Sequence, residues 1–333
     1  MMGAGKVTRW TLTAIAMGAV VSGVLGASPL AAQQGTSSQS KCRPGPNALG
    51  VSRTVEIDAT GGPRFGRMQY RDHDFLQEGE VVLTFDDGPH PKFTPEILDA
   101  LDEHCTKATF FVLGQRALSF PTQLREVGRR GHTIGTHTWS HANLGRSSAA
   151  QIESQIELGI SAVQLALDGP TAPFFRFPYL SDPASAQAYL KNRDIVNISI
   201  DVDSHDFRTK SPSRMISNVM RGLQQKKKGI ILWHDIQPST GNGIRQMLAE
   251  LKSRGYRVVH IQPKQSQSTI AAYDERLERD RGSRPRVAAV RPSRTPAAVR
   301  EPTPQRVAAP PPPSQQQRPR EYRDWRDTVF GRW

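Results

Sequence analysis

From Glu80 to about Pro263, short apolar, β-branched runs alternate with longer amphipathic stretches, and this rhythm restricts the chain to a parallel α/β architecture. It predicts strands at Val81–Phe85, Ala108–Val112, Thr133–Thr136, Phe174–Phe177, Ile195–Asp201, Ile230–Trp233 and Arg257–Ile261. Helices are expected between them at Thr94–Glu103, Ala117–Arg130, Ser148–Leu167, Pro183–Asn192, Ser211–Lys227 and Thr240–Arg254. Several of these open on a Ser or Thr cap and close near Gly131, Gly229 or Gly255. About seven such units fit a distorted or incomplete (β/α) barrel of parallel strands better than an open sheet.

The flanks have a different chemistry. Residues 1–32 carry Lys6 and Arg9, an apolar run from about Trp10 to Leu25, small residues up to Ala32 and no acid, which is the pattern of a signal peptide. The alternative is an uncleaved membrane anchor, and either would place the remainder outside the cytoplasm, in the periplasm or the extracellular space. Residues 33–79 then form an N-terminal extension to a domain over 80–263. After Pro263 the chain turns rich in Pro, Arg, Ala and Gln, and residues 264–333 are expected to be a disordered basic tail, with a helical start near Ala271–Arg279. Tyr322, Trp325, Phe330 and Trp333 return aromatic character at its end, suited to docking or to nothing more than a chain terminus.

Of the formal net charge of +13, residues 1–32 supply +2, residues 33–263 supply +4 (27 basic, 23 acidic) and the tail +7 (15 basic, 8 acidic). A charge concentrated in an exported tail suits contact with an anionic cell wall or membrane surface, or simple solubility; no nucleic acid is expected as partner. Cys42 and Cys105 are the two cysteines, and in an oxidising compartment they can pair or remain free thiols.

The densest chemistry lies at the ends of predicted strands. Thr84-Phe85-Asp86-Asp87-Gly88-Pro89 places two adjacent carboxylates where active sites of parallel folds gather, an arrangement that is costly unless a cation lies beside them. The bland reading is an Asp-Gly turn. His137-Thr138-Trp139-Ser140-His141 follows another strand, and on a helix the i and i+4 imidazoles would share a face. With one aspartate they make a His₂Asp ligand set that leaves room for water, the need of a hydrolytic metal.

These segments resemble the polysaccharide deacetylases with the NodB-homology domain, carbohydrate esterase family four, over about residues 80–263 and in the family's motif order. The resemblance implies that Asp86 is the general base and that Asp87, His137 and His141 hold a divalent metal. For a His₂Asp set Zn²⁺ is the expected ion, with Co²⁺ or another divalent ion as alternatives. Arg176-Phe177-Pro178-Tyr179 resembles the third motif, in which Arg176 orients the base and the Tyr179 backbone N–H faces the oxyanion. Asp203-Ser204-His205-Asp206-Phe207 resembles the fourth, with Asp206 orienting the catalytic histidine; Phe207 stands where the family usually has Trp, so the pocket keeps an aromatic wall without an indole donor. Leu232-Trp233-His234 resembles the fifth, with Leu232 lining the acetyl pocket and His234 as general acid. His90, His132 and His205 receive no role.

The expected activity is metal-dependent removal of N-acetyl groups from an N-acetylated polysaccharide such as peptidoglycan or a chitin-like glycan. An O-acetyl esterase on the same metal and a non-catalytic wall-binding scaffold are the competing readings. The intact Asp86 and His234 weigh against the last, because a binding module needs neither base nor acid.

Overall fold

The computed structural model describes residues 48–282 together with Cys42 and Gly45. The expected signal segment 1–32, the basic tail beyond 282 and its aromatic end all lie outside the described residues.

Strand β3 (Glu80–Asp86) is buried along its whole length. Its alternate residues face two different interiors, which is why it reads as an unbroken apolar run. Val81, Leu83 and Phe85 pack outward against Ile97, Leu98 and Leu101 of α1 (Phe93–Glu103) and Met247, Leu248 and Leu251 of α7 (Pro238–Ser253). Val82 points the other way, into a second cluster with Phe111, Phe174, Ile198, Ile230 and Ile261.

Around β3 the strands are parallel throughout. On one side follow β4 (Thr109–Val112), β5 (Thr133–Thr136), β6 (Phe174–Phe175), β7 (Val196–Ile198) and β2 (Arg64–Phe65); on the other, β9 (Gly229–His234) and β8 (Val202–Asp203). Strand β10 (Arg257–Pro263) joins the first residues of β3, and β1 (Arg53–Ile57) pairs with β10. The result is a parallel sheet curled around an inner core but not closed, in keeping with the incomplete barrel read from the sequence.

The stretch expected as one strand, Ile195–Asp201, keeps only β7, and β8 begins just after it, so two short strands stand here with a seam between them. There the Asp201 carboxylate accepts the backbone N–H groups of Arg67 and Ile230, each at 2.7 Å, so a side chain does the work of a missing strand neighbour. The expected helix Ala117–Arg130 is also two, α2 (Gly114–Ser119) and α3 (Pro121–Arg129). Pro121 cannot donate to the turn before it and drives Phe120 out of the helical region, to φ −133° and ψ 56°. The remaining helices are α4 (Ala149–Leu167), α5 (Ala184–Asn192) and α6 (Pro212–Lys226).

Both flanks of the expected domain contribute structure. The N-terminal extension supplies β1 and β2, too short and too polar to stand out as strands. Cys42 and Cys105 are bonded, with Cα atoms 5.6 Å apart. Beyond Pro263 the fold continues into α8 (Ala271–Gly282), where disorder was expected apart from a helical start. Leu277 is buried there with Leu158 and Ala162 of α4, and the Tyr273 hydroxyl donates to Glu153 at 3.0 Å. One leucine in a highly charged helix gives almost no amphipathic signal, which is why the sequence conceals this docking.

Leu277→Ala should therefore lower stability by about 2–3 kcal/mol in urea unfolding. Cutting the chain after Pro263 should lower the unfolding midpoint, whereas cutting after Gly282 should not; an unchanged midpoint for the shorter chain would show that α8 contributes nothing.

Candidate active site

Register brings the site together. Asp86, the last residue of β3, lies opposite Phe111 of β4 and opposite His234, the last residue of β9. His137 follows β5 and Arg176 follows β6, with the Arg176 N–H donating to Thr136 O at 3.1 Å. Asp86, Asp87, His137, Arg176 and His234 thus emerge at the carboxyl ends of parallel strands, the end where such folds place their chemistry.

Arg176 is fully buried beneath this end. Its guanidinium donates to Asp86 Oδ1 and Thr84 Oγ1 at 2.7 Å each, to Ile198 O at 2.9 Å and to Ser199 O at 3.2 Å, and lies 4.2 Å over the Phe111 ring. A buried cation needs such saturation, and Asp86 is its counter-charge. Burial pushes the Asp86 carboxyl up to about 6 against the opposing pull of Arg176 and His234.

Asp87, His137 and His141 form the second group. Their ligand atoms all lie within 4.8 Å of one another, with His137 Nε2 at 3.5 Å and His141 Nε2 at 3.4 Å from Asp87 Oδ1. Asp87 Oδ1 is buried without a hydrogen-bond partner. His137 Nδ1 lies 2.7 Å from Arg176 O, so it is the protonated nitrogen and Nε2 turns its lone pair toward Asp87. Burial and the neighbouring His141 push His137 down to about 3, which keeps it neutral. Burial opposes charge on Asp87 too, but His141, His234 and His137 outweigh it and hold its carboxyl below the usual range. An orphaned carboxylate oxygen facing two imidazole lone pairs fits a divalent cation.

The two histidines do not share a helix face, as their spacing suggested. They converge through a turn in which Thr138 and His141 have φ of 71° and 61°. The turn is held by Trp139 N donating to Gln155 O at 2.8 Å and by His141 N donating to Thr138 Oγ1 at 3.0 Å. It packs so tightly on α4 that a Cβ at Gly159 would lie 2.8 Å from Thr138 C.

Asp206 and His234 form a third group. His234 Nδ1 lies 2.7 Å from Asp206 Oδ1, while Asp206 Oδ2 accepts His234 N at 2.7 Å and Thr240 Oγ1 at 2.5 Å. Burial works against charge on this imidazole, yet Asp206 raises it to about 10. At the mouth, Tyr179 and Phe207 are exposed, the Tyr179 ring edge-on to His141 at 4.6 Å and Phe207 edge-on to His234 at 5.6 Å. Leu232 is buried one register step inside, opposite Thr84 and Asp203. His205 sits at the rim, 3.0 Å from Asp203, whereas His132 caps Ala108 N at the far end of the strands and His90 stacks on Phe93.

Sequence reasoning passed over Asp235. Its carboxylate is buried against Gly88, where a Cβ would stand 2.0 Å from Oδ2. Oδ2 accepts Thr94 Oγ1 at 2.5 Å, and burial pushes this carboxyl up to about 7. The only signal in the sequence was its place directly after His234. A cavity of about 890 Å³ lined by Arg125, His132, Asp168 and Gln262 holds none of the clustered side chains.

A family model described as polysaccharide deacetylase matches residues 75–198. A peptidoglycan-N-acetylglucosamine deacetylase of Bacillus cereus is 33% identical over 189 residues, covering 55% of this chain and 67% of the relative. A chitin deacetylase of Colletotrichum lindemuthianum is 33% identical over 197 residues, covering 56% of this chain and 79% of the relative. Among solved structures, a peptidoglycan deacetylase of Bdellovibrio bacteriovorus superposes with a TM-score of 0.60 at 32% identity, over 66% of this chain and 61% of that one. The chain therefore spans somewhat less than two thirds of that protein.

Arg176→Ala would leave Asp86 buried without its cation. The loss expected in urea unfolding is about 3–5 kcal/mol, and a loss below about 1 kcal/mol would mean that the pair is not held in the interior.

Proposed function

The chain belongs to the polysaccharide deacetylase family, and on that footing we propose that it hydrolyses N-acetyl groups on a peptidoglycan or chitin-like glycan. The observation that carries this reading is that two hydrogen-bonded pairs, Arg176–Asp86 and Asp206–His234, flank the Asp87–His137–His141 group.

An amide is a weak electrophile with a poor leaving group, so its hydrolysis needs an activated water, a stabilised oxyanion and a proton for the departing nitrogen. A divalent cation held by Asp87, His137 and His141, which we assign as Zn²⁺ with Co²⁺ as the nearest substitute, supplies Lewis-acid activation. Asp86 accepts the proton of the attacking water, and Arg176 fixes the carboxylate in place for that transfer. The Tyr179 backbone N–H donates to the oxygen that becomes negative. His234, kept protonated by Asp206, delivers its proton to the nitrogen. Leu232 and Phe207 enclose the acetyl methyl.

We further assign residues 1–32 as an export signal and the basic tail as a means of retention at an anionic wall or membrane surface. Among the described residues no helix is long and apolar enough to cross a membrane.

Purified full-length protein loaded with Zn²⁺ should release acetate from N-acetylated glycans and stop when a chelator is added. No release from chitin oligomers, peptidoglycan or their acetylated fragments would overturn the reading, and preferential release from O-acetylated xylan would redirect it to an esterase. Asp86→Asn should abolish turnover while keeping bound metal, whereas His137→Ala should lose about 10-fold or more in metal affinity. Equal metal loss in both would contradict the division of roles.

The pH profile follows from the two pairs. Activity requires Asp86 ionised and His234 protonated, so kcat/KM should rise as pH passes the Asp86 value near 6 and fall as it passes the His234 value near 10. A cation bound beside them stabilises both deprotonated forms and moves each limb to lower pH. A profile with the opposite curvature would exclude this assignment of base and acid.

A further inference from the structure

The turn that carries Tyr179 is strained. Tyr179 has φ 58° and ψ 12°, and Leu180 follows at φ 53°. Two successive residues with side chains in the left-handed region persist only where the surroundings hold them there, and such outliers gather at functional sites. Within the turn, Leu180 N donates to Phe177 O at 3.1 Å and Ser181 N to Pro178 O at 3.0 Å. At its end Asp182 accepts Gln187 Nε2, at O (2.9 Å) and at Oδ2 (2.6 Å). Further restraints come from far away in the chain.

Residues 66–70, between β2 and β3, form a strap across this turn. Gln69 Nε2 donates to Leu180 O at 2.8 Å, while Gln69 Oε1 accepts Ser199 Oγ at 2.5 Å. The buried Tyr70 hydroxyl donates to Asp182 and accepts Asn197 Nδ2 at 2.7 Å. The strap is itself fixed by backbone, with Met68 N donating to Ile200 O at 3.0 Å and Arg67 N to Asp201 Oδ1 at 2.7 Å. Gly66 makes this approach feasible: at φ 102°, a Cβ there would lie 2.5 Å from Ser199 C.

We propose that Gln69 and Tyr70 are positioning residues for the reaction: they clamp the Tyr179–Asp182 turn so that the Tyr179 amide faces the acyl oxygen and its ring stays against His141. This rests on the deacetylase reading of the site. It adds that the N-terminal segment, outside residues 75–198 matched by the family model, is part of the catalytic apparatus. An oxyanion donor acts on charge that appears only in the transition state, so a loosened donor lowers kcat and leaves KM nearly alone.

The test uses the full chain with Zn²⁺ and three variants. Gln69→Glu removes the donor to Leu180 O but keeps an acceptor for Ser199; Gln69→Ala removes both; Tyr70→Phe removes only the hydroxyl. Hydrogen exchange of a peptide spanning 177–183 should quicken by about tenfold in each, with exchange elsewhere, bound metal and unfolding midpoint as in the parent. Acetate release should show kcat down by about tenfold and KM within about twofold. Parent-like exchange and kcat in both Gln69→Glu and Tyr70→Phe would overturn the proposal. So would faster exchange with unchanged kcat, or a general loosening of the whole domain. If the parent protein itself releases no acetate, the deacetylase reading fails, while the exchange measurement still decides whether the strap holds the turn.

Discussion

Charge burial at one end of a parallel sheet is the constraint to which the rest of the structure answers. Asp86, Asp206 and Asp235 are buried, and Asp87 lies beside them with a side chain only 13% exposed. In water such carboxylates would stand apart; here each is paired, hydrogen-bonded or turned toward the imidazoles. Arg176 carries the heaviest share. It reaches four acceptors from two strands or their ends, and its position beneath Asp86 explains why a barrel interior that is apolar at Val82 and Ile230 becomes polar at Thr84. Thr84 relays that polarity, accepting from Arg176 and donating to Ile231 O at 2.6 Å.

The same end of the sheet concentrates backbone strain. Asp87, Thr138, His141, Tyr179, Leu180 and His205 all have positive φ, and all lie in loops following strands. Asp168 and Lys227 share the conformation but sit at helix C-termini, where a left-handed residue is an ordinary stop signal. Strain at Asp87, Thr138 and His141 and at the Tyr179 turn sets side-chain directions that a relaxed loop would not hold. The cost falls on contacts nearby: Gly159 under Thr138, Asp235 under Gly88, Gln69 against Leu180.

Much of this was legible in the sequence because strand runs and short motifs are local. The core strands β3, β4, β5, β9 and β10 were placed to within a residue or two, since each is an apolar run bounded by turn residues. The residues clustered at the site were named from motifs that sit directly after those runs. What stayed hidden depends on partners distant in the chain. The His137–His141 spacing suggested a helix, yet a turn pinned by Gln155 and Gly159 brings the rings together. Strands β1 and β2 are defined by whom they pair with, not by their composition, and α8 is anchored by Leu277 and Tyr273, two contacts in a highly charged helix. Gln69 carries no motif at all; only its reach to Leu180 and Ser199 marks it.

Pairing of β3 with β9 is what joins the two halves of the site. The segment matched by the family model supplies Asp86, Asp87, His137, His141, Arg176 and Tyr179, while Leu232 and His234 come from β9 and Asp206 from the turn between β8 and α6, beyond residue 198. Nothing local ties these halves together. The tie is the long β3–β9 ladder, in which Val81 through Asp86 pair in register with Gly229 through His234. Because side chains alternate along a strand, a slip of one residue would turn His234 away from the interior that Asp86 faces. The outward-facing Phe85 and Trp233 stack with ring centroids 5.6 Å apart, so the apolar packing outside the barrel fixes the same register. A carboxylate and an imidazole with opposite proton affinities are thereby set on neighbouring strands by a hydrophobic pair one residue earlier.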